Sequence, residues 1–333
     1  MNGETIEPTR RPKNSPFFQQ KLPAWQPMFS AKSSAITFLV LGVIFVPLGV
    51  GLLITSNGVT EYTVDYTDCR NAAGELCSIA AAPPSVCICL QSVEIRKAIP
   101  GPVYLYFEVT NFHQNHRRYV RSKNDAQLLG QVQQPSDLSS CSPYNTLNDS
   151  QNVHAILPCG AIANSLFNDS FTLTFMSSAG PTGVPMTSSE IAWKSDVNNR
   201  FGTLSDEALQ NTVKPPNWQM NISQRSPNPF KTDEELIVWM RVAALPNFRK
   251  LNRRITHTGE FRDGLPAGTY TMQINYAFPV TPFGGRKSFV IGNVSWLGGK
   301  NITLGVTSIV TGCLHILIGC VFLTIYIYTS RSN

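Results

Sequence analysis

Two apolar stretches lie near the two ends of this chain, at residues 35–54 and 304–328, and neither contains a Lys, Arg, Asp or Glu. Each has the length a helix needs to cross the hydrocarbon core of a bilayer. This pattern constrains the fold before any motif is considered. It implies a two-pass membrane protein divided into a tail (1–34), a first span (35–54), a folded loop (55–303), a second span (304–328) and a short end (329–333).

Charge sets the expected orientation. Arg10, Arg11, Lys13, Lys21 and Lys32 precede the first span against only Glu4 and Glu7, whereas residues 55–67 carry no base. Arg331 follows the second span. Basic flanks favour the cytoplasm, so both termini are expected there and the loop outside or in a lumen. The first apolar run is longer than a cleavable signal and should act as a signal anchor. Half of the formal net charge of +6 comes from this tail, and no nucleic-acid module accompanies it.

The loop carries the marks of an oxidising compartment. It holds five N-x-S/T sequons, at Asn148, Asn168, Asn221, Asn293 and Asn301, the last abutting the second span. Six of the eight cysteines are also there: Cys69, Cys77, Cys87, Cys89, Cys141 and Cys159. Such an even set reads as disulfides. Cys87 and Cys89 would share one face of a strand, which places them poorly for bonding each other. Each needs a partner elsewhere, with Cys69 and Cys77 nearest, and Cys141 pairs with Cys159. Closing that last loop stabilises by about 3 kcal/mol in the chain-entropy model. A zinc site at Cys87-Ile-Cys89 is the alternative, but it lacks the usual ligand gap.

The loop patterning is mostly β. Residues 103–109 and 269–278 alternate apolar and polar side chains, and 171–175 and 288–294 are shorter candidates. Residues 235–245 are ambiguous. Thr232 and Glu235 have capping-box spacing, yet the dense run Leu236, Ile237, Val238, Trp239 and Val242 favours a buried strand, with a short helix expected over 246–255. Another short helix is expected over 160–167. The whole predicts an antiparallel sandwich carrying small helices.

No phosphate loop, nucleophile elbow, zinc-protease motif or cofactor motif is present in the sequence. His113, His116, Arg117, Arg118 and Asp125 could build an acid–base or anion site, or simply a polar loop facing a partner. Asp233, Glu234 and Glu235 read as a solvated segment start. Gly305, Ser308, Gly312, His315 and Gly319 form a small, partly polar stripe along the second span. Such a stripe lets helices approach closely in lipid. It could pack on the first span, which has Gly42, Gly49 and Gly51, but its length favours docking on another membrane protein. Cys313 and Cys320 read as ordinary apolar side chains.

Several long segments carry a resemblance: Gln19-Gln-Lys-Leu-Pro-Ala-Trp-Gln-Pro27, residues 111–128, Pro158-Cys-Gly-Ala-Ile-Ala-Asn-Ser-Leu-Phe-Asn-Asp-Ser170, Ile191-Ala-Trp193, residues 233–251, and Ser295-Trp-Leu-Gly-Gly-Lys-Asn301. Over nearly its whole length the chain resembles the cell cycle control protein 50 family, the non-catalytic β-subunits of type-IV P-type ATPase lipid flippases. Glu190 stands where that family commonly has Gly. The resemblance implies a partner α-subunit that moves phospholipid, often phosphatidylserine, to the cytoplasmic leaflet. The β-subunit would be needed for exit from the endoplasmic reticulum and for transport. It also implies nested disulfides, Cys69–Cys89 around Cys77–Cys87, with Cys141–Cys159 separate, and a glycan at Asn168. Residence would then extend from the endoplasmic reticulum to the Golgi, endosomes and plasma membrane. A two-span oligomeric ligand-gated channel or receptor shares the topology, with the second-span stripe lining its pore.

Overall fold

A computed structural model describes residues 13–24, 30–80, 87–148 and 152–332. Arg10 and Arg11 of the tail, Trp25–Pro27 of the first motif, and the last two residues of the Asn148 sequon lie outside them. The chain divides into two compact units, the pair of terminal helices and the segment Thr55–Lys300.

The helices run over Ala31–Asn57 and Ile302–Ser332, both long and apolar enough to cross a membrane. They pack antiparallel along a seven-residue register. Leu39, Val46 and Leu53 lie against Gly319, Gly312 and Gly305, and in return Ile316 and Ile309 lie against Gly42 and Gly49. A Cβ at any of these five glycines would fall 2.5–2.7 Å from the facing side chain, so the approach depends on their lacking one. Ser308 donates a hydrogen bond to the Phe45 carbonyl at 3.2 Å. His315 sits with its ring 5.5 Å from that of Phe38 and 5.9 Å from that of Phe45. The whole stripe is thus occupied by the chain's own first span. This corrects the expectation that its length marks a docking face for another protein, because the heptad match continues down both helices and uses all of it.

In Thr55–Lys300, two antiparallel sheets enclose one core. The first sheet is ordered Glu61–Asp65, Lys287–Asn293, Val103–Val109, Phe248–Ile255 and Met186–Thr187. The second is ordered Cys87–Ile95, Gly268–Tyr276, Ser170–Ser177 and Gly180–Gly183. Alternation works as expected in Val103–Val109, which buries every second residue, and in Gly268–Tyr276, which buries Tyr270, Met272, Ile274 and Tyr276. Aromatic rings bridge the sheets: Phe289 lies 6.2 Å from Phe171, and Tyr66 lies 6.1 Å from Tyr276.

Two elements reverse the sequence expectation. Glu234–Met240 is a helix, and the segment after it, Phe248–Ile255, is a strand. Asp233, not Thr232, caps the helix, its Oδ1 accepting the Leu236 N–H at 3.1 Å. Burial of Leu236, Ile237, Trp239 and Met240 then outweighs their β preference. Phe248–Ile255 hides its strand period because its inward face carries Lys250 and Asn252, both buried. The expected helix at 160–167 is a single turn, Ala161–Asn164.

The three disulfides are Cys69–Cys89, Cys77–Cys87 and Cys141–Cys159, with Cα separations of 6.2, 5.4 and 5.7 Å. The first two are nested where Cys87 and Cys89 turn the same buried face toward residues 69–77. Sγ atoms of Cys69, Cys77 and Cys89 consequently lie within 4.8 Å of one another, through stacked disulfides.

Candidate interaction surfaces

The polar segment 111–130 divides its labour by charge. Its neutral side chains face inward and fasten it. Gln114 Oε1 accepts the Ala243 N–H at 2.8 Å, Ser122 Oγ accepts the Ala161 N–H at 2.8 Å, and Gln127 Oε1 accepts the Cys159 N–H at 2.8 Å. Tyr119 shares a 2.8 Å hydrogen bond with Ser165, and burial raises its phenol to about 12. Gly160, at φ +100°, lets the next turn press on the Ser122 carbonyl, where a Cβ would sit 2.1 Å away. The basic residues face outward. The helix Arg117–Arg121 buries no residue, and His113, His116, Arg117, Arg118 and Arg121 are all exposed. The segment's acid, Asp125, pairs with Lys123. Three exposed arginines, Arg117, Arg118 and Arg121, on a loop fastened from within make a surface suited to an acidic partner.

A second face is built on Glu234–Met240. The Glu234 carboxylate accepts three consecutive backbone N–H groups, from Glu190 at 2.8 Å and from Ile191 and Ala192 at 2.7 Å each. Glu190, at the position where the resemblance expects Gly, adopts φ +61° and pairs with Arg254 at 2.5 Å. Trp193 follows directly and is 65% exposed. Arg241 lies 4.2 Å above its ring and is held by Asp196 at 2.7 and 3.2 Å. A cavity of about 400 Å³ opens beside them, lined by Tyr106, Ile191, Arg249 and Leu251. The acids 233–235 are therefore not a solvated start. Asp233 is buried and pairs with Arg225 at 2.5 Å, and Glu235 pairs with Arg253. Their arginine partners lie outside the acid run and left no sequence signal.

The densest polar cluster lies inside the sandwich. Lys287 Nζ donates to Asp169 Oδ2 at 2.6 Å and to the Phe278 carbonyl at 2.5 Å, and lies 3.1 Å from the centre of the Tyr276 ring. Asp169 also accepts from Tyr66 Oη at 2.8 Å and from the N–H groups of Ala277 and Phe278 at 2.6 Å. Burial pulls Lys287 down against the opposing pull of Asp169, to about 8, and pushes Tyr66 well up. Lys287 and Asp169 have no exposed side-chain surface, so the cluster joins sheets rather than meeting a substrate.

The sequons differ in setting. Asn148, Asn168, Asn221 and Asn301 are exposed. Asn168 points outward from the same turn that sends Asp169 inward. Asn293 is half-buried, its Oδ1 accepting the Thr60 N–H at 2.9 Å beside the strand pair that leads from one span and to the other.

Paired apolar helices and a disulfide-bonded β domain between them define the class: a two-span membrane protein with one large domain outside the helices. Residues 52–332 match the model of the LEM3 (ligand-effect modulator 3) family / CDC50 family. The chain belongs to that family. It is 43% identical to human (Homo sapiens) cell cycle control protein 50B over 97% of this chain and 95% of the relative. It is 40% identical to mouse (Mus musculus) cell cycle control protein 50A over 88% and 83%. ALA-interacting subunit 3 of Arabidopsis thaliana is 37% identical over 88% and 80%.

Proposed function

We propose that this chain is the non-catalytic accessory subunit of a type-IV P-type ATPase phospholipid flippase. In this reading it supports folding of the α-subunit, its exit from the endoplasmic reticulum and its movement of aminophospholipid to the cytoplasmic leaflet. The observation that carries it is family membership over residues 52–332, which takes in the second helix, the end of the first and the whole domain between them. The side-chain chemistry agrees. The buried ionisable groups around Lys287 and Lys250 are spent on joining elements, while the exposed ones, Arg117, Arg118 and Arg121, are displayed for contact. Both termini are cytoplasmic and the β domain is lumenal or extracellular, as the basic tail predicts. The complex travels from the endoplasmic reticulum to Golgi, endosomes and plasma membrane, with glycans on Asn148, Asn168 and Asn221. The channel alternative loses its pore lining, because Gly305, Ser308, Gly312, His315 and Gly319 face the first span.

The test is affinity purification of the tagged full chain in mild detergent with mass spectrometry of what accompanies it. A P-type ATPase α-subunit should co-purify, and its co-expression should convert the chain's glycans to endoglycosidase-resistant forms. Glycans that mature equally well with no α-subunit present would defeat this reading.

A further inference from the structure

Trp296 is 84% exposed, more than any other large apolar side chain among the described residues. It sits at the tip of a closed turn with Leu297, which is also exposed. Ser295 N–H donates to the Gly298 carbonyl at 2.8 Å and Gly298 N–H returns to Ser295 at 2.9 Å. The Ser295 hydroxyl accepts from Leu297 N–H at 3.2 Å. Behind the turn, the Arg249 guanidinium lies against Gly299, and Arg249 is itself held by Glu61 at 3.1 Å. The indole is thus presented outward by a turn that is braced from behind.

Such display in water has no folding purpose, and the position of Trp296 in the chain suggests another. Six peptide steps separate Trp296 from Ile302, where the second long apolar helix begins. The indole therefore lies no more than ~20 Å of chain from that helix. Lys300, exposed, falls between them. Tryptophan favours the zone where headgroups meet acyl chains, with its ring in the apolar layer and its N–H toward the polar one. Backbone groups resist entry to that zone unless already satisfied, and three N–H groups of this turn are satisfied within it.

We infer that Trp296 and Leu297 form a fixed anchor in the interfacial layer of the bilayer that the second helix crosses, with Lys300 facing lipid phosphate. The anchor rests on the spanning role of that helix and not on the accessory-subunit reading, so the two fail separately.

The full chain, reconstituted with no other protein into phosphatidylcholine vesicles, supplies the test. The lipids carry bromine either near the headgroup end or near the tail end of their chains, and tryptophan emission is recorded for wild type, W296F and W193F. The expected result is a quenched component in wild type, stronger with shallow than with deep bromine, that W296F loses and W193F keeps. Both residues are exposed, so neither substitution disturbs the core. The anchor is overturned if W296F is quenched as wild type is. It is also overturned if aqueous iodide reaches Trp296 as freely as Trp193, or if Trp296 becomes shielded only when an ATPase is added.

Discussion

Two buried lysines hold this domain together, and they do it differently. Lys287 joins the two sheets with a carboxylate, a carbonyl and an aromatic face around its ammonium group. Lys250, 8% exposed, meets no carboxylate among the described residues. It donates to three carbonyls, of Val238, Trp239 and Arg241 at 3.2, 2.7 and 2.7 Å, where the helix Glu234–Met240 ends, and lies 4.7 Å from the Trp239 ring. One is half of an ion pair; the other is a cation set on the negative end of a helix. Burial lowers both, and Lys250, lacking a counter-charge and facing Arg241, is driven well down. Carbonyl acceptors and an aromatic face are common to both sites. The compensating charge is not.

This contrast orders the expected effects of mutation. D169N strands the Lys287 ammonium and should cost about 3–5 kcal/mol, read as a lowered unfolding midpoint of the purified chain. If the counter-charge is what matters, D169N with K287M should recover part of that loss, because no buried charge is then left unpaired while the amide oxygen can still accept the Ala277 and Phe278 N–H groups. K250M should cost less, about 1–3 kcal/mol, since it orphans carbonyls rather than a charge. A loss as large as that of D169N would show that the two sites are equivalent after all.

Titration sharpens the comparison further. Between about 8 and the ordinary 10.5, Lys287 is protonated in the unfolded chain and neutral in the folded one. Folding then releases a proton, so this group's contribution to stability rises as pH rises from 8 toward 10, and Lys250 acts in the same direction. K287M should flatten that rise, measured by denaturant midpoints across the range. Tyr66 and Tyr276, both raised, oppose it only near and above their ordinary 10. The smallest effect belongs to the exposed cations. R117E with R118E should change the unfolding free energy by less than about 0.5 kcal/mol while weakening co-purification of the partner.

The elements most legible in the sequence are those whose burial pattern is apolar. The spans, Val103–Val109 and Gly268–Tyr276 announce themselves by hydrophobic length or period. Several of the parts misjudged share one cause, polar groups used inside. Lys250 and Asn252 erase the period of Phe248–Ile255, and Asp233 looks like a surface acid until Arg225 comes beside it. Lys287 lies in a strand that sequence could place, yet its partner is 118 residues away, beyond the reach of local pattern. The stripe in the second helix was visible as a stripe. Its occupant was not, because an antiparallel register between two apolar helices shows only when their glycines are laid side by side.

The order of strands also bears on how the chain is made. Glu61–Asp65 emerges early, yet its neighbour in the sheet is Lys287–Asn293, and the Thr67 hydroxyl bonds to Lys287 across 220 residues. Asp169, too, receives its cation only when that late strand arrives. The strand that joins Glu61–Asp65 to the rest of the first sheet is thus the last one synthesised, shortly before the second apolar helix. A ribosome must finish almost the whole domain before its opening strand can pair, so until then the nascent chain carries an unpaired strand, and Asp169 lacks the cation it is buried with in the finished fold.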